Sequence, residues 1–406
     1  MSDQQTDRRG GPLWTLALLL AVAAGLPATA RAQDDSDDTP AADTDDAEAL
    51  DAPVAETGGD EAATLEYLIA IETRARDASG RPLPKHVNQR SVDAIDRGLA
   101  YLANTQGADG SWRSARDGMN YPVSMTAMAT MAFLCHGNTP SRGEYADTVK
   151  RAIRWIIRQQ QTEGQWAGLI HGQGRGQPMY GHGFSLLLLA SAYGMETDER
   201  WRQRMKPVIE KAIDVTAKSQ SNLGGWTYSP GAGDEGSVTI TQMQALRAAH
   251  NAGFTVPKAT IEKAIKYLES CKTPEGGIKY SFSSGPQTRL PISAAAITCL
   301  YSAGEYESPL AEQCLRYVWG QFKNRSNQWS KGGGHDYYAH HYAAQAFYQA
   351  GDKYWDAYFP TARDQVIGLQ QADGSWNGDH IGPTYGTAIA LTILQLPYKF
   401  LPIYQR

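Results

Sequence analysis

The chain has 406 residues, 42% of them hydrophobic, which is enough apolar material for one large core. Its formal net charge is −5, from 38 Lys and Arg against 43 Asp and Glu. No basic stripe of the kind that grips phosphates occurs, so nucleic-acid binding is excluded as a partner class.

The first 32 residues read as an export signal. Arg8 and Arg9 precede an apolar run from Leu13 to Leu26, and Ala30-Arg31-Ala32 supplies small residues for cleavage after Ala32. Gly25 and Pro27 interrupt the apolar run, which is short for a bilayer span, so no transmembrane segment is expected after cleavage. The expected location is outside the cytoplasm.

Residues 33–62 read as a disordered tether. From Asp34 to Glu61 there are twelve acidic residues and no Lys or Arg, too little apolar surface to offset chain entropy. Past the signal there are 35 Lys and Arg, and 29 acidic residues lie beyond the tether, so the body carries +6 against the tether's −12. Residues 63–90 are expected to form a short amphipathic helix, with Leu65, Leu68 and Ile69 on one side, followed by a strap.

From residue 91 onward a repeat governs the sequence. Gln106-Gly-Ala-Asp-Gly110-Ser-Trp112, Gln160-Gln-Thr-Glu-Gly164-Gln-Trp166, Gln220-Ser-Asn-Leu-Gly224-Gly-Trp226 and Gln370-Gln-Ala-Asp-Gly374-Ser-Trp376 share one pattern: Gln, three residues, Gly, one residue, Trp. Two degenerate copies complete a set of six: Glu275-Gly276-Gly277-Ile278, where Ile stands for Trp, and Gln321 through Trp329.

The segments around each anchor alternate in character. Before an anchor the pattern is amphipathic: Val149, Ile153, Ile156 and Ile157 share one face, with Lys150, Arg151, Arg154 and Arg158 opposite. After an anchor it is apolar or small nearly all round, as in Met125 to Leu134, Phe184 to Ala192, Ile292 to Leu300 and Tyr385 to Leu394. Gly137, Gly194, Gly253, Gly304 and Gly351 are expected to close the second helices. Pro140, Pro207, Pro257, Pro309 and Pro360 are expected before or at the start of the next first helix. Six such hairpins bury their apolar sides by closing into a double ring. The expected fold is therefore all-α: a single α/α toroid of six helical hairpins over residues 91–406.

The Gln-x3-Gly-x-Trp signature resembles the QW motif of squalene-hopene cyclases and related triterpene cyclases, and the unit also resembles protein prenyltransferase β subunits. The likeness covers roughly residues 91 to 396. It implies a structural role, tying outer-helix ends together, for Gln106, Trp112, Gln160, Trp166, Gln220, Trp226, Trp329, Gln370 and Trp376.

The same resemblance defines what is missing. The Asp-x-Asp-Asp of a protonating cyclase occurs only at Asp43-Thr44-Asp45-Asp46, inside the acidic run, where no apolar cavity can hold an acid protonated. In the ring the nearest counterparts are Asp234 and Glu235, ahead of Val238-Thr239-Ile240-Thr241-Gln242, with no second aspartate to form an acid pair. Against the prenyltransferase zinc site, Asp336, Tyr337, Tyr338 and Tyr342 match, but the ligand position falls on Ala339. Arg289-Leu290-Pro291-Ile292 stands where an Asp-x-Cys is needed. No metal or cofactor is expected on this ground. Cys135, Cys271, Cys299 and Cys314 contain no Cys-x-x-Cys pair, and both a Cys299–Cys314 bridge and buried free thiols fit their spacing.

In a closed ring the segments joining anchors to inner helices open on one end of the cavity, so convergent polar residues there are site candidates. Those with catalytic chemistry are Asp234, Glu235, His335, Asp336, Tyr338 and His340; Asp117 falls in the same loops. A ligand-binding mouth is expected from Arg113, His171, Arg175, Tyr180, His182, Tyr228, Tyr280, Arg289, Tyr337, His341, Asp379, His380 and Tyr385. Three functions fit. The first is a non-catalytic binding or scaffold toroid holding an extended or apolar ligand, isoprenoid or carbohydrate. The second is a divergent isoprenoid-processing enzyme with Asp234 or Glu235 as acid. The third is a secreted polysaccharide lyase or hydrolase using His, Tyr and Arg for proton abstraction.

Overall fold

The computed structural model describes residues 76, 80–114, 121–172, 177–324 and 335–405. The signal, the tether and the helix around Leu65 to Ile69 lie outside the described residues, as do Asp117, Arg175 and Trp329. The chain divides into two units, Pro27–Asn88 and Gln89–Arg406, the second taken together with Met1–Leu26. In the first, Arg76 pairs with Pro82 as an isolated antiparallel bridge, and its guanidinium donates to the Gly80 carbonyl at 2.8 Å.

The second unit is helical throughout, with no strand among its described residues. The odd-numbered helices are α1 (Gln89–Thr105), α3 (Ala146–Arg158), α5 (Glu199–Lys218), α7 (Lys258–Ser270), α9 (Pro309–Asn324) and α11 (Asp352–Gly368). The even-numbered ones are α2 (Pro122–Cys135), α4 (Pro178–Met195), α6 (Gly236–Asn251), α8 (Leu290–Ser302), α10 (Asp336–Ala350) and α12 (Pro383–Gln395). Burial separates the two sets as the sequence requires. α3 buries Val149, Ala152, Ile153 and Ile156 and leaves Arg151 and Arg154 exposed, whereas every residue of α2 from Val123 to Cys135 is buried. A helix apolar on all sides is stable only when enclosed. The even helices therefore pack on one another in the order α2, α4, α6, α8, α10, α12, and α12 packs back on α2. Gln395 at the end of α12 donates to the Ala132 carbonyl of α2 at 3.1 Å, and the inner ring is shut.

The repeated glutamines and tryptophans hold the outer ring. Gln106 Nε2 donates to the Gly110 carbonyl of its own loop and to the Thr148 carbonyl in the next outer helix, both at 3.0 Å. Gln220 bridges Gly224 and Thr260 in the same way, and Gln370 bridges Gly374 and Ala94. Trp112, Trp226 and Trp376 are buried, and each indole N–H donates to the carbonyl ten residues earlier: Leu102, Thr216 and Val366. Their backbone N–H groups donate to Thr126, Thr239 and Thr387 in the first turns of the inner helices. The loop glycine is forced by contact as well as by conformation. Gly110 has φ +94, and a Cβ there would lie 2.6 Å from the Arg151 carbonyl oxygen.

Several expectations need correction. In the second repeat, Gly164 and Trp166 are not the anchor. Gln160 reaches Gly168 at 3.0 Å and Val208 at 2.8 Å, so four extra residues sit in this loop. Gly168 carries the tight contact, φ +106 with the Lys211 carbonyl 2.7 Å from a Cβ, while a Cβ at Gly164 meets nothing. The Trp position falls on buried Ile170, whose N–H donates to His182 Nδ1 at 3.1 Å instead of to a threonine. Gly194 lies inside α4, although Gly137, Gly253, Gly304 and Gly351 do have positive φ after their helices. Pro207 and Pro360 stand inside α5 and α11. Each forgoes one backbone donor, which the burial of neighbours such as Met205, Val208 and Phe359 offsets. All four cysteines are free and buried, so the Cys299–Cys314 bridge is not formed. Among the described residues no helix is long and apolar enough to cross a membrane.

Candidate functional site

Glu235 is placed by the third anchor loop. Its N–H donates to the Trp226 carbonyl at 2.8 Å, which fixes the residue beside the buried indole and makes it the N-cap of α6. The carboxylate accepts from the Ser237 N–H at 3.0 Å, the Val238 N–H, and the Ser237 hydroxyl at 2.8 and 2.9 Å. Gly236 in turn donates to the Tyr280 carbonyl at 2.7 Å, which ties α6 to the loop ahead of α8.

Tyrosines from four segments converge on this carboxyl. The Tyr180 hydroxyl, from the first turn of α4, bonds the Ser237 hydroxyl. Tyr228 and Tyr280 bond each other through their hydroxyls. Tyr180 lies 5.9 Å from Tyr228 and stacks on Phe184 at 6.5 Å. Tyr338 of α10 is fully buried, feels the Glu235 charge and meets Tyr342 edge-on at 4.8 Å. Burial pushes Glu235 up to about 7, although its N–H and hydroxyl donors act in the opposite direction; the neighbouring Asp234 adds a small push upward. All four tyrosines are raised, first by burial and then by Glu235.

A second polar group lies where α10 and α12 begin. His335 is the residue before α10, its ring 5.6 Å from that of His380. Asp379 sits in the left-handed region at φ 52, and its carboxylate accepts from the Tyr337 N–H at 3.3 Å. Burial and then Asp336 raise Asp379 to about 6, while burial and then His380 lower His335 to about 4. Arg289, the residue before α8, adds positive charge near both His335 and Tyr280. Tyr337 and Tyr385, with ring centroids 6.5 Å apart, join this group to Tyr338. The mouth therefore has two carboxyls of raised pKa with tyrosines between them.

Other expected members stand elsewhere. His182 is a core residue: its Nε2 faces the Ala212 carbonyl at 3.2 Å and the Thr216 hydroxyl at 3.0 Å, and burial lowers it to about 4. His340 points outward to Tyr358 of α11 at 2.9 Å, and so does not serve the mouth. Residues 340 and 341 diverge by about 100° around a helix, and this sends His341 into the bore instead. There it is 3% exposed, with both ring nitrogens unpartnered. Arg113 is half-exposed and paired with Asp109 at 3.2 Å within its own anchor loop. His171 is half-buried, with its backbone tied to Gln159, and burial lowers it. Among the described residues no group of three or more His, Cys, Asp and Glu is placed to hold a metal ion. Sequence reading missed Ser237, whose position two residues beyond an N-cap acid was the available signal.

Comparison with known proteins agrees with this architecture. The squalene-hopene cyclase C-terminal domain family matches residues 66–172. A drimenyl diphosphate synthase from Streptomyces showdoensis is 26% identical over 231 residues, 56% of this chain and 40% of that protein. The match thus spans about two fifths of that relative's length. A type II terpene cyclase from Scytonema, solved with geranylgeranyl dihydroxybenzoate, superposes with TM-score 0.52 at 13% identity, over 77% of this chain and 98% of that one. The α-1,6-mannanase GH76A from Salegentibacter, solved with α-1,6-mannotriose, gives TM-score 0.51 at 10% identity, over 75% and 98%. The chain is thus similar to squalene-hopene and terpene cyclases in part of its sequence, and it shares the α/α-toroid fold with terpene cyclases and the mannanase.

Proposed function

We propose that the toroid binds an extended isoprenoid-type ligand at the end of the ring where the inner helices begin. The apolar chain lies against Tyr180, Phe184 and Tyr338, and the polar head meets Glu235 and Ser237. The observation that carries this reading is the buried Glu235 carboxyl inside its four tyrosines. A carboxyl titrating near 7 can accept from or donate to a ligand hydroxyl, and the aromatic faces suit a polyene. The drimenyl diphosphate synthase relative favours an isoprenoid over a carbohydrate. The leader read at residues 1–32 supports placing this binding outside the cytoplasm.

Acid-initiated cyclisation is the second reading, favoured by the position of Glu235 at the start of an inner helix. It ranks lower because protonating an olefin needs a strong acid, and every donor on Glu235 stabilises the anion. Titration of the purified chain with farnesol, geranylgeraniol, squalene and mannotriose, with product analysis by mass spectrometry, tests both. Geranylgeraniol is expected to bind, and Tyr228→Ala to weaken it by about tenfold, the equivalent of about 1.4 kcal/mol. Binding of mannotriose with no isoprenoid binding would sink the proposal. A cyclised product would promote the second reading over the first.

A further inference from the structure

After α12 the chain forms two short 3-10 turns, Leu396–Tyr398 and Pro402–Tyr404. This segment runs at the opposite end of the ring from the mouth. A Cβ on Gly137, just past the end of α2, would lie 2.8 Å from the Phe400 ring, and Pro402–Tyr404 packs on α6. Leu401, Ile403 and Tyr404 are at most 4% exposed, a degree of burial that surface turns do not reach. The backbone bonds described for the segment run within it: Lys399 to Leu396, Tyr404 to Leu401 and Gln405 to Pro402.

Tyr404 reaches a cavity of about 20 Å³ between the inner helices. The walls include Met128 and Met131 of α2, Phe184 and Leu187 of α4, and His341 of α10. The cavity is about the size of one water, so side chains fill this part of the bore nearly completely. Two features set the place apart from ordinary core. Methionines are the side chains that adapt best to occupants of different shape. His341 lies buried with neither ring nitrogen bonded, although a buried imidazole normally finds a partner.

We infer that the closed end of the bore is a binding site for the apolar tail of a ligand, held in this structure by the chain's own Tyr404. The aromatic side chain stands where a terminal isoprene unit or a phenol-sized group would stand. Phe184 belongs both to the wall of this cavity and to the stack on Tyr180, so a single side chain stands between the deep site and the mouth. Tyr404 then acts as a floor that limits the length of chain the ring accepts. The inference rests on the proposed binding of an apolar ligand for its natural occupant, but the site can be tested separately.

The test compares wild type with Tyr404→Ala, using p-cresol as the probe. Removing the phenol opens an enclosed apolar hole, and p-cresol is expected to raise the Tm of Tyr404→Ala with concentration while leaving wild type unchanged. Tyr404→Leu, probed with benzene, serves if the alanine variant does not fold. In the second arm, Tyr404→Ala is expected to bind geranylgeraniol at least about tenfold more tightly relative to farnesol than wild type does. A folded variant indifferent to its probe overturns the inference, because the bore has then collapsed and Tyr404 was ordinary core. Rescue by the probe with no isoprenoid binding to either protein keeps the deep site and overturns the proposed function instead.

Discussion

Gln370 Nε2 donates across 2.9 Å to the carbonyl oxygen of Ala94, so a side chain of the last repeat completes the first helix of the ring. The same amide holds the Gly374 carbonyl at 3.0 Å, and its oxygen accepts from Arg97. Gln370→Ala removes both of these bonds, together with the Arg97 contact, and is expected to cost about 1–3 kcal/mol. Hydrogen exchange should quicken in α1 and α12 before it does in α6. Uniform exchange across all twelve helices would mean that closure does not depend on this amide.

The second repeat gives a sharper comparison. Trp112 and Trp226 are buried with bonded indoles, whereas Trp166 is only half-buried and takes no part in its anchor. Trp112→Ala is expected to cost about 3–5 kcal/mol, and Trp166→Ala well under half of that. Gly168→Ala should likewise destabilise more than Gly164→Ala, since only Gly168 presses on a neighbouring carbonyl. Denaturant midpoints settle it, and equal losses at the two tryptophans would restore Trp166 as the anchor.

These contrasts show what the sequence could reveal. Alternation between one-sided and all-round apolar segments dictates a double ring, because an all-apolar helix has only one place to go. Gln106, Gln220 and Gln370 could be read correctly, since their bonds are local and repeat in register. The shifted anchor at Gly168 could not, because Gly164 and Trp166 satisfy the same pattern and only the docking of α5 distinguishes them. Histidines were the least legible residues. His182, His340 and His341 are polar by composition, yet their directions follow from helix rotation and neighbouring helices, which no single segment encodes. Glu235 was visible as an acid ahead of an inner helix, but its tyrosines come from four separate segments.

Stability should carry the mark of Glu235 in its pH dependence. Folding raises this carboxyl from 4.5 to about 7. Below 4.5 both states are protonated and the contribution is fully present. Between 4.5 and 7 the unfolded chain ionises first, so stability falls as pH rises, by about 3 kcal/mol in all. His182, lowered from 6.5 to about 4 by burial, works the other way and loses stability as pH falls through that window. Glu235→Gln removes only the first slope. Urea titrations from pH 4.5 to 8 are expected to show the variant gaining stability with pH more steeply than wild type. Superimposable profiles would show that Glu235 ionises as freely in the fold as in water.

The hydroxyl pair Tyr228 and Tyr280 offers a test of the mouth that does not depend on knowing its ligand. The two hydroxyls bond each other in a half-buried setting. Tyr228→Phe and Tyr280→Phe each remove this one bond, from opposite sides, and each is expected to cost about 1–2 kcal/mol. Both single changes lose the same bond, so the double variant should cost less than the sum of the two. A double-mutant cycle read from denaturant midpoints measures this coupling directly. Additive losses would mean that the hydroxyls face separate partners, and the tyrosines around Glu235 would then be free to turn toward a ligand one at a time, where a coupled pair moves as one wall.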